Sequence, residues 1–179
     1  MPLLLFLAGC GGASSKPYIP AYCVGDSLTY GVGSSGGYPK SLPFATVNSG
    51  VRGDTTSGVT ARVSGFKQAD IVFLMIGHND KDWLNAEAKY TALADKVFTQ
   101  KPWVKVYWAN VILDRDGAYL AQCEFQDAAL RKVVARQRSL GRDVTFVDAY
   151  HQTYTYSDHV HLDEAGYKTL ARVFMDAME

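Results

Sequence analysis

Four widely separated stretches of the chain carry groups that acyl transfer at a serine requires. A hydroxyl stands at Ser27 in Gly25-Asp26-Ser27-Leu28-Thr29, and an imidazole and a carboxylate stand at His161 and Asp158 in Asp158-His159-Val160-His161. A serine hydroxyl is a weak nucleophile until an imidazole takes its proton. The imidazole in turn needs a carboxylate to hold one tautomer, and the tetrahedral oxyanion needs preset donors. The Ser27 and Gly53 backbone N–H groups and the side-chain amide of Asn79, in Gly77-His78-Asn79-Asp80, are the donor candidates. Glycine at 25 and 53 is expected to permit tight turns and a close approach of backbone to substrate that a Cβ would obstruct.

Each of these residues also has a plainer use. Ser27 alone would serve as a helix N-cap, and Asn79 and Gly53 as ordinary turn residues; taken together they point to a nucleophile and its oxyanion donors. Asp158 precedes His161 by three residues, close enough for a carboxylate to reach the imidazole Nδ1. Asp163, nearer the last amphipathic segment, has a sufficient role as a cap. His159 is a rival base, expected to point away from the pocket that His161 faces. Tyr150, Tyr154 and Tyr156 lead into this stretch and suit half-buried packing better than a stacking platform, whereas Trp83 suits either packing or a wall of the acyl pocket.

Something must bring these stretches together. From residue 18 onward, short β-like runs alternate with amphipathic segments, an α/β pattern with no internal repeat. Strands are predicted at Ala21–Val24, Ala45–Asn48, Ile71–Ile76, Val104–Asn110 and Val144–Val147, the third and fourth with the continuous apolar character of strands covered on both faces. Helices are predicted over Thr56–Phe66, Asn85–Gln100 and Tyr119–Leu140, the last stopped by Gly141, with a final helix after an Asp163 cap. Parallel strands joined by right-handed crossovers give a three-layer α/β/α sandwich. Ligands in such sheets bind beyond the carboxyl ends of the strands, and the four candidate blocks come after the first, second, third and fifth predicted strands.

With these blocks in this order, the chain resembles the SGNH or GDSL serine esterases and lipases over nearly all of its length after the amino-terminal segment. The resemblance implies Ser27 as nucleophile, Gly53 and Asn79 completing the oxyanion hole with Ser27, and Asp158 and His161 as the rest of the triad. It also implies a flavodoxin-like sandwich with a five-stranded parallel sheet in order 2-1-3-4-5. The function expected is hydrolysis of carboxylic esters through an acyl-enzyme, with short-chain or acetyl esters as substrates. A lysophospholipase or thioesterase of the same family, or a non-catalytic glycan- or lipid-binding envelope lipoprotein, is the alternative.

Composition narrows the field. The 179 residues balance 18 Lys+Arg against 18 Asp+Glu, which argues against general affinity for nucleic acid, and 47% apolar residues suffice for one buried core. The basic cluster Arg131, Lys132, Arg136 and Arg138 falls where a helix would turn it to water. The amino terminus, Met1 to Cys10, is a short apolar run whose Leu7-Ala8-Gly9-Cys10 resembles a bacterial lipoprotein signal, so residues 1–9 are expected to be removed, Cys10 acylated and residues 10–17 left as a tether to a hydrolase domain over 18–179. The expected location is a bacterial envelope, lipid-anchored, or the periplasm or exterior, with the membrane touched only through that anchor. Cys23 and Cys123 either pair there or remain buried thiols. The four His lack metal-site spacing, so neither metal nor cofactor is expected, and the chain is expected to act as a monomer on a small ester. Gly31-Val32-Gly33-Ser34-Ser35-Gly36 matches a dinucleotide fingerprint, but Gly37-Tyr38-Pro39 follows where a helix must start. Gly25-Asp26-Ser27-Leu28-Thr29 lacks the second glycine of an α/β-hydrolase elbow.

Overall fold

Alternation of side chains along the strands sets the architecture. A computed structural model of the chain describes residues 21–32, 35–66 and 69–179. Five strands, β1 (Ala21–Gly25), β2 (Thr46–Gly50), β3 (Ile71–Met75), β4 (Lys105–Ala109) and β5 (Val144–Val147), pair in parallel in the order β2-β1-β3-β4-β5. The expected sheet order is thereby borne out. Val24, Val72, Leu74, Val106 and Trp108 face one side, while Cys23, Phe73, Met75, Tyr107 and Ala109 face the other. Both sets are buried, as period-two alternation in a doubly covered sheet requires.

On the first side lie α2 (Thr56–Ala61), α3 (Ala86–Gln100) and α4 (Leu120–Ser139); on the second lie the short α1 (Ser27–Tyr30) and α5 (Glu164–Asp176). Tyr90 meets Trp108 edge-on with ring centroids 5.6 Å apart in the first layer, and Phe73 stacks on Tyr107 at 5.4 Å and meets Phe174 edge-on at 5.3 Å in the second. Burial of each such side chain stabilises the fold by about 1.5–3 kcal/mol.

Helix ends follow local chemistry. Asp163 caps α5 by accepting the Gly166 N–H at 2.8 Å, and Gly141, at φ +76°, follows α4. The segment predicted as one helix over Thr56–Phe66 is instead α2 followed by a 3₁₀ turn at Val63–Phe66, with Arg62 between them; glycines at 58 and 65 weaken a continuous helix there. β2 runs two residues beyond its predicted end, pairing Ser49 and Gly50 with β1. The glycine-rich segment leads into a 3₁₀ turn at Tyr38–Ser41, not an α-helix that would receive a pyrophosphate, though Gly33 and Ser34 lie outside the described residues.

Cys23 and Cys123 are both buried free thiols, and burial pushes each up to about 12. Cys10, the signal-like segment and the tether lie outside the described residues. Among the described residues, no helix is long and apolar enough to cross a membrane. Arg131, Lys132, Arg136 and Arg138 are exposed, and Arg131 pairs with Asp127 and Asp148.

Candidate active site

The loops that leave the strands converge at the carboxyl edge of the sheet. After β1, Asp26 turns the chain and caps α1, its Oδ1 accepting the Leu28 N–H at 2.9 Å. Ser27 is therefore the first helical residue and not the cap. A Cβ at Gly25 would come within 2.2 Å of the Met75 carbonyl and 2.3 Å of Thr29 Oγ1. What glycine accommodates there is the neighbouring strand, not substrate.

Ser27 Oγ lies 3.0 Å from His161 Nε2, and His161 Nδ1 lies 2.8 Å from Asp158 Oδ2. Asp158 Oδ1 accepts the backbone N–H groups of Val160 at 2.8 Å and His161 at 2.7 Å. The His161 N–H foremost, with that of Val160 and the ring, holds the Asp158 carboxyl at about 2 against the opposing effect of desolvation. Asp158 thus stays ionised at neutral pH and requires a proton on Nδ1, which leaves Nε2 as an acceptor facing the hydroxyl. His159 points outward as expected: its ring is 82% exposed and lies 2.5 Å from Asp116 Oδ2. Its carbonyl accepts the Arg115 N–H at 2.8 Å, and Tyr156 donates its hydroxyl to the Leu113 carbonyl at 2.6 Å, so the 156–161 loop is fastened to the loop after β4.

Of the donor candidates, Ser27 and Asn79 line one cavity with His161. Asn79 Nδ2 donates to the Asp54 carbonyl at 2.9 Å and reaches Asp26 Oδ2 at 3.4 Å. The second contact is at the weak end of hydrogen bonding, so that N–H is only loosely engaged. The Ser27 and Gly53 N–H groups have no acceptor among the described residues. Gly53 sits at φ +72°, with open space where a Cβ would be. The expected crowding is absent at Gly53; the left-handed backbone is what selects glycine. Behind Asn79, Asp80 accepts the Thr56 N–H at 3.1 Å and the Thr56 hydroxyl at 2.6 Å, and Gln122 and Gln126 hold the Gly77 carbonyl at 3.2 and 2.8 Å.

A cavity of about 500 Å³ has a lining that includes Ser27, His78, Asn79, Trp83, Tyr119 and His161, whereas Gly53 is not among its lining residues. A larger hollow of about 890 Å³ beside Lys40, Ser41 and Glu164 contains none of the candidate residues; chemistry rather than size selects the site. Burial lowers the His78 pKa, and its ring meets Tyr119 edge-on at 4.9 Å. Trp83 walls the cavity and meets Phe125 edge-on at 5.5 Å. Tyr154 and Tyr156 donate to the backbone carbonyls of Ala149 and Leu113, as the packing reading anticipates, and neither they nor Tyr150 lines the cavity. His151 pairs with Asp148, away from the cavity.

Sequence reasoning passed over the burial of Asp26. It is 2% exposed, and burial, assisted by the charges of Asp54 and Asp80 and opposed by the Leu28 N–H, raises its carboxyl to about 7. A carboxyl raised on folding leaves stability intact below the ordinary carboxylate pKa near 4 and removes it as pH rises through 7, by roughly 1.4 kcal/mol per pH unit at most. Asp26→Asn keeps an oxygen for the Leu28 N–H. The Tm advantage of this variant over wild type should therefore grow between pH 4 and 7 and level off above; a difference that is flat across that window in thermal melts would refute the assignment.

Residues 23–169 match the GDSL-like lipase/acylhydrolase family. The chain belongs to this family. Membership makes the protein, at family level, one of the carboxylic ester hydrolases. No curated protein matches this GDSL-like chain in sequence. Solved structures of similar fold include the family 3 carbohydrate esterase of Clostridium thermocellum, 24% identical over 89% of this chain and 94% of that one, with a TM-score of 0.74. A family 3 carbohydrate esterase from Talaromyces cellulolyticus is 17% identical over 90% and 96%, TM-score 0.74. A catalytic mutant of an acetylxylan esterase from Geobacillus stearothermophilus is 20% identical over 89% and 93%, TM-score 0.64. At these identities the likeness is one of fold.

Proposed function

We propose that the protein is a serine esterase that cleaves short-chain and acetyl esters through an acyl-enzyme. The observation that carries this reading is the unbroken relay from Ser27 Oγ through His161 to Asp158, with contacts of 3.0 and 2.8 Å. Ser27 attacks the ester carbonyl as His161 Nε2 accepts its proton. The oxyanion forms against the Ser27 and Gly53 N–H groups and the Asn79 amide, and the alcohol departs with the proton from His161. Water then attacks the acyl-enzyme with His161 again as base, restoring Ser27. Every proton and electron pair is accounted for within these groups, so the sequence calls for no cofactor.

Small acyl groups are favoured by the walls of the cavity. Its apolar lining is confined to Trp83, Tyr119 and Val160 among otherwise polar side chains, too little continuous apolar surface to bury a long acyl chain. Structural neighbours named for acetylxylan and other carbohydrate esters agree with this choice.

A fluorophosphonate probe should label the wild-type chain and not Ser27→Ala, and acetate esters should turn over faster than octanoate esters. Asn79→Ala should still be labelled but lose roughly 10²–10³-fold in kcat, the usual effect of one oxyanion donor. An unlabelled wild type would make the protein a binder, and preference for the longer ester would move the substrate to lipids or acyl thioesters.

A further inference from the structure

We propose that Arg62 is a positioning residue for the oxyanion donors, acting as a single clamp on the exits of β1 and β2. Its guanidinium touches three acceptors at once. Nε donates to Asp54 Oδ2 at 2.8 Å, one terminal nitrogen to the Ser49 carbonyl at 2.8 Å and the other to the Gly25 carbonyl at 3.1 Å. Each acceptor adjoins part of the site. Gly25 leads through Asp26 into Ser27, Ser49 lies at the end of β2, and Asp54 follows Gly53. The clamp reaches the third strand exit as well, because the Asp54 carbonyl is the acceptor that orients Asn79 at 2.9 Å. The same loop is closed by the Asp54 N–H to the Val51 carbonyl at 3.0 Å and the Val51 N–H to the Gly25 carbonyl at 3.0 Å.

The clamp also has an electrostatic consequence. Asp54 is 11% exposed at its side chain, and its charge is felt at Asp26, the residue before Ser27. An unpaired carboxylate there would oppose the oxyanion; the guanidinium cancels it. Seating Asp54 requires Gly58, where a Cβ would lie 1.8 Å from Asp54 Oδ1. A planar fork with fixed donor directions reaches three separated acceptors from three nitrogens, which the single nitrogen of an ammonium cannot span. Arg62 touches no reacting atom, and its effect passes through Asp54.

This inference rests on the esterase reading, and its test separates the two. Arg62→Ala and Arg62→Lys are compared with wild type by kcat per fluorophosphonate-titrated site, by KM, and by the ¹⁵N-detected resonances of the Gly53 N–H and the Asn79 side-chain amide. The expected result for Arg62→Ala is a loss of about 10²-fold in kcat, the cost of a donor misplaced by about 1 Å, with KM unchanged. Arg62→Lys, which keeps the charge, should lose less and is the variant that decides if Arg62→Ala is not recovered folded. Both resonances should shift in either variant while core amides such as those of Leu74 and Trp108 stay in place, and guanidinium ion should partly restore Arg62→Ala. Unchanged kcat per titrated site with unshifted Gly53 and Asn79 signals overturns the clamp. If wild type is inactive and unlabelled but the two signals still move, the esterase reading fails and the clamp stands.

Discussion

Ser27→Ala is expected to lower kcat for a short-chain ester by roughly 10⁴–10⁶-fold, His161→Ala by a similar factor, and the double variant by little more than either alone. The reason is that hydroxyl and imidazole, 3.0 Å apart, act as one unit. Without the base the hydroxyl keeps its proton, and without the hydroxyl the base has nothing to activate. What remains in all three variants is binding and the oxyanion donors. Among the described residues, the Ser27 side chain makes no hydrogen bond besides that to His161, and alanine suits the first turn of α1, so the fold should be unaffected. Single-turnover and steady-state rates on the three variants check this; losses that multiply in the double variant would mean that the two side chains act separately.

Asp158→Asn should cost roughly 10²–10⁴-fold in kcat while leaving the geometry of the 156–161 loop in place. The asparagine oxygen can retain the Val160 and His161 N–H groups, and the contacts of His159 and Tyr156 with the loop after β4 are untouched. Its NH₂ group then faces His161 Nδ1, a donor where the carboxylate was an acceptor. The ring responds by moving its proton to Nε2, which becomes a donor toward Ser27 Oγ and can no longer take the serine proton. ¹⁵N spectra of the imidazole should show Nδ1 protonated in wild type and Nε2 protonated in the variant. Full activity with an unchanged tautomer would remove Asp158 from the mechanism.

The features legible in the sequence are those written in local pattern. Burial on both faces makes β3 and β4 continuous apolar runs, and cap chemistry marks Asp163 and Gly141. The sheet order and the site blocks were legible through the resemblance that Gly25-Asp26-Ser27, Gly53, Asn79 and the Asp158–His161 pair carry. What escaped notice depends on distance along the chain. Arg62 binds carbonyls 13 and 37 residues away, and a backbone acceptor has no signature in residue type. Asp26 reads as a polar turn residue, yet strand packing places it 2% exposed. The end of β2 was missed because Gly50 is a poor strand former and Ser49 is not an enriched one; pairing with β1 overrides that preference. Whether Cys23 and Cys123 pair could not be read from their spacing. Their separate seats in the fold, Cys23 on β1 facing α5 and Cys123 on α4 with its Sγ 3.6 Å from the Ile112 carbonyl, leave both reduced.

Those two seats give the molecule an internal clock. A thiol that is sealed from water and held protonated reacts with an alkylating reagent only after the packing around it parts. The pace at which iodoacetamide modifies Cys23 on one side of the sheet and Cys123 on the other would report how often each layer lifts away, with no label engineered into the chain.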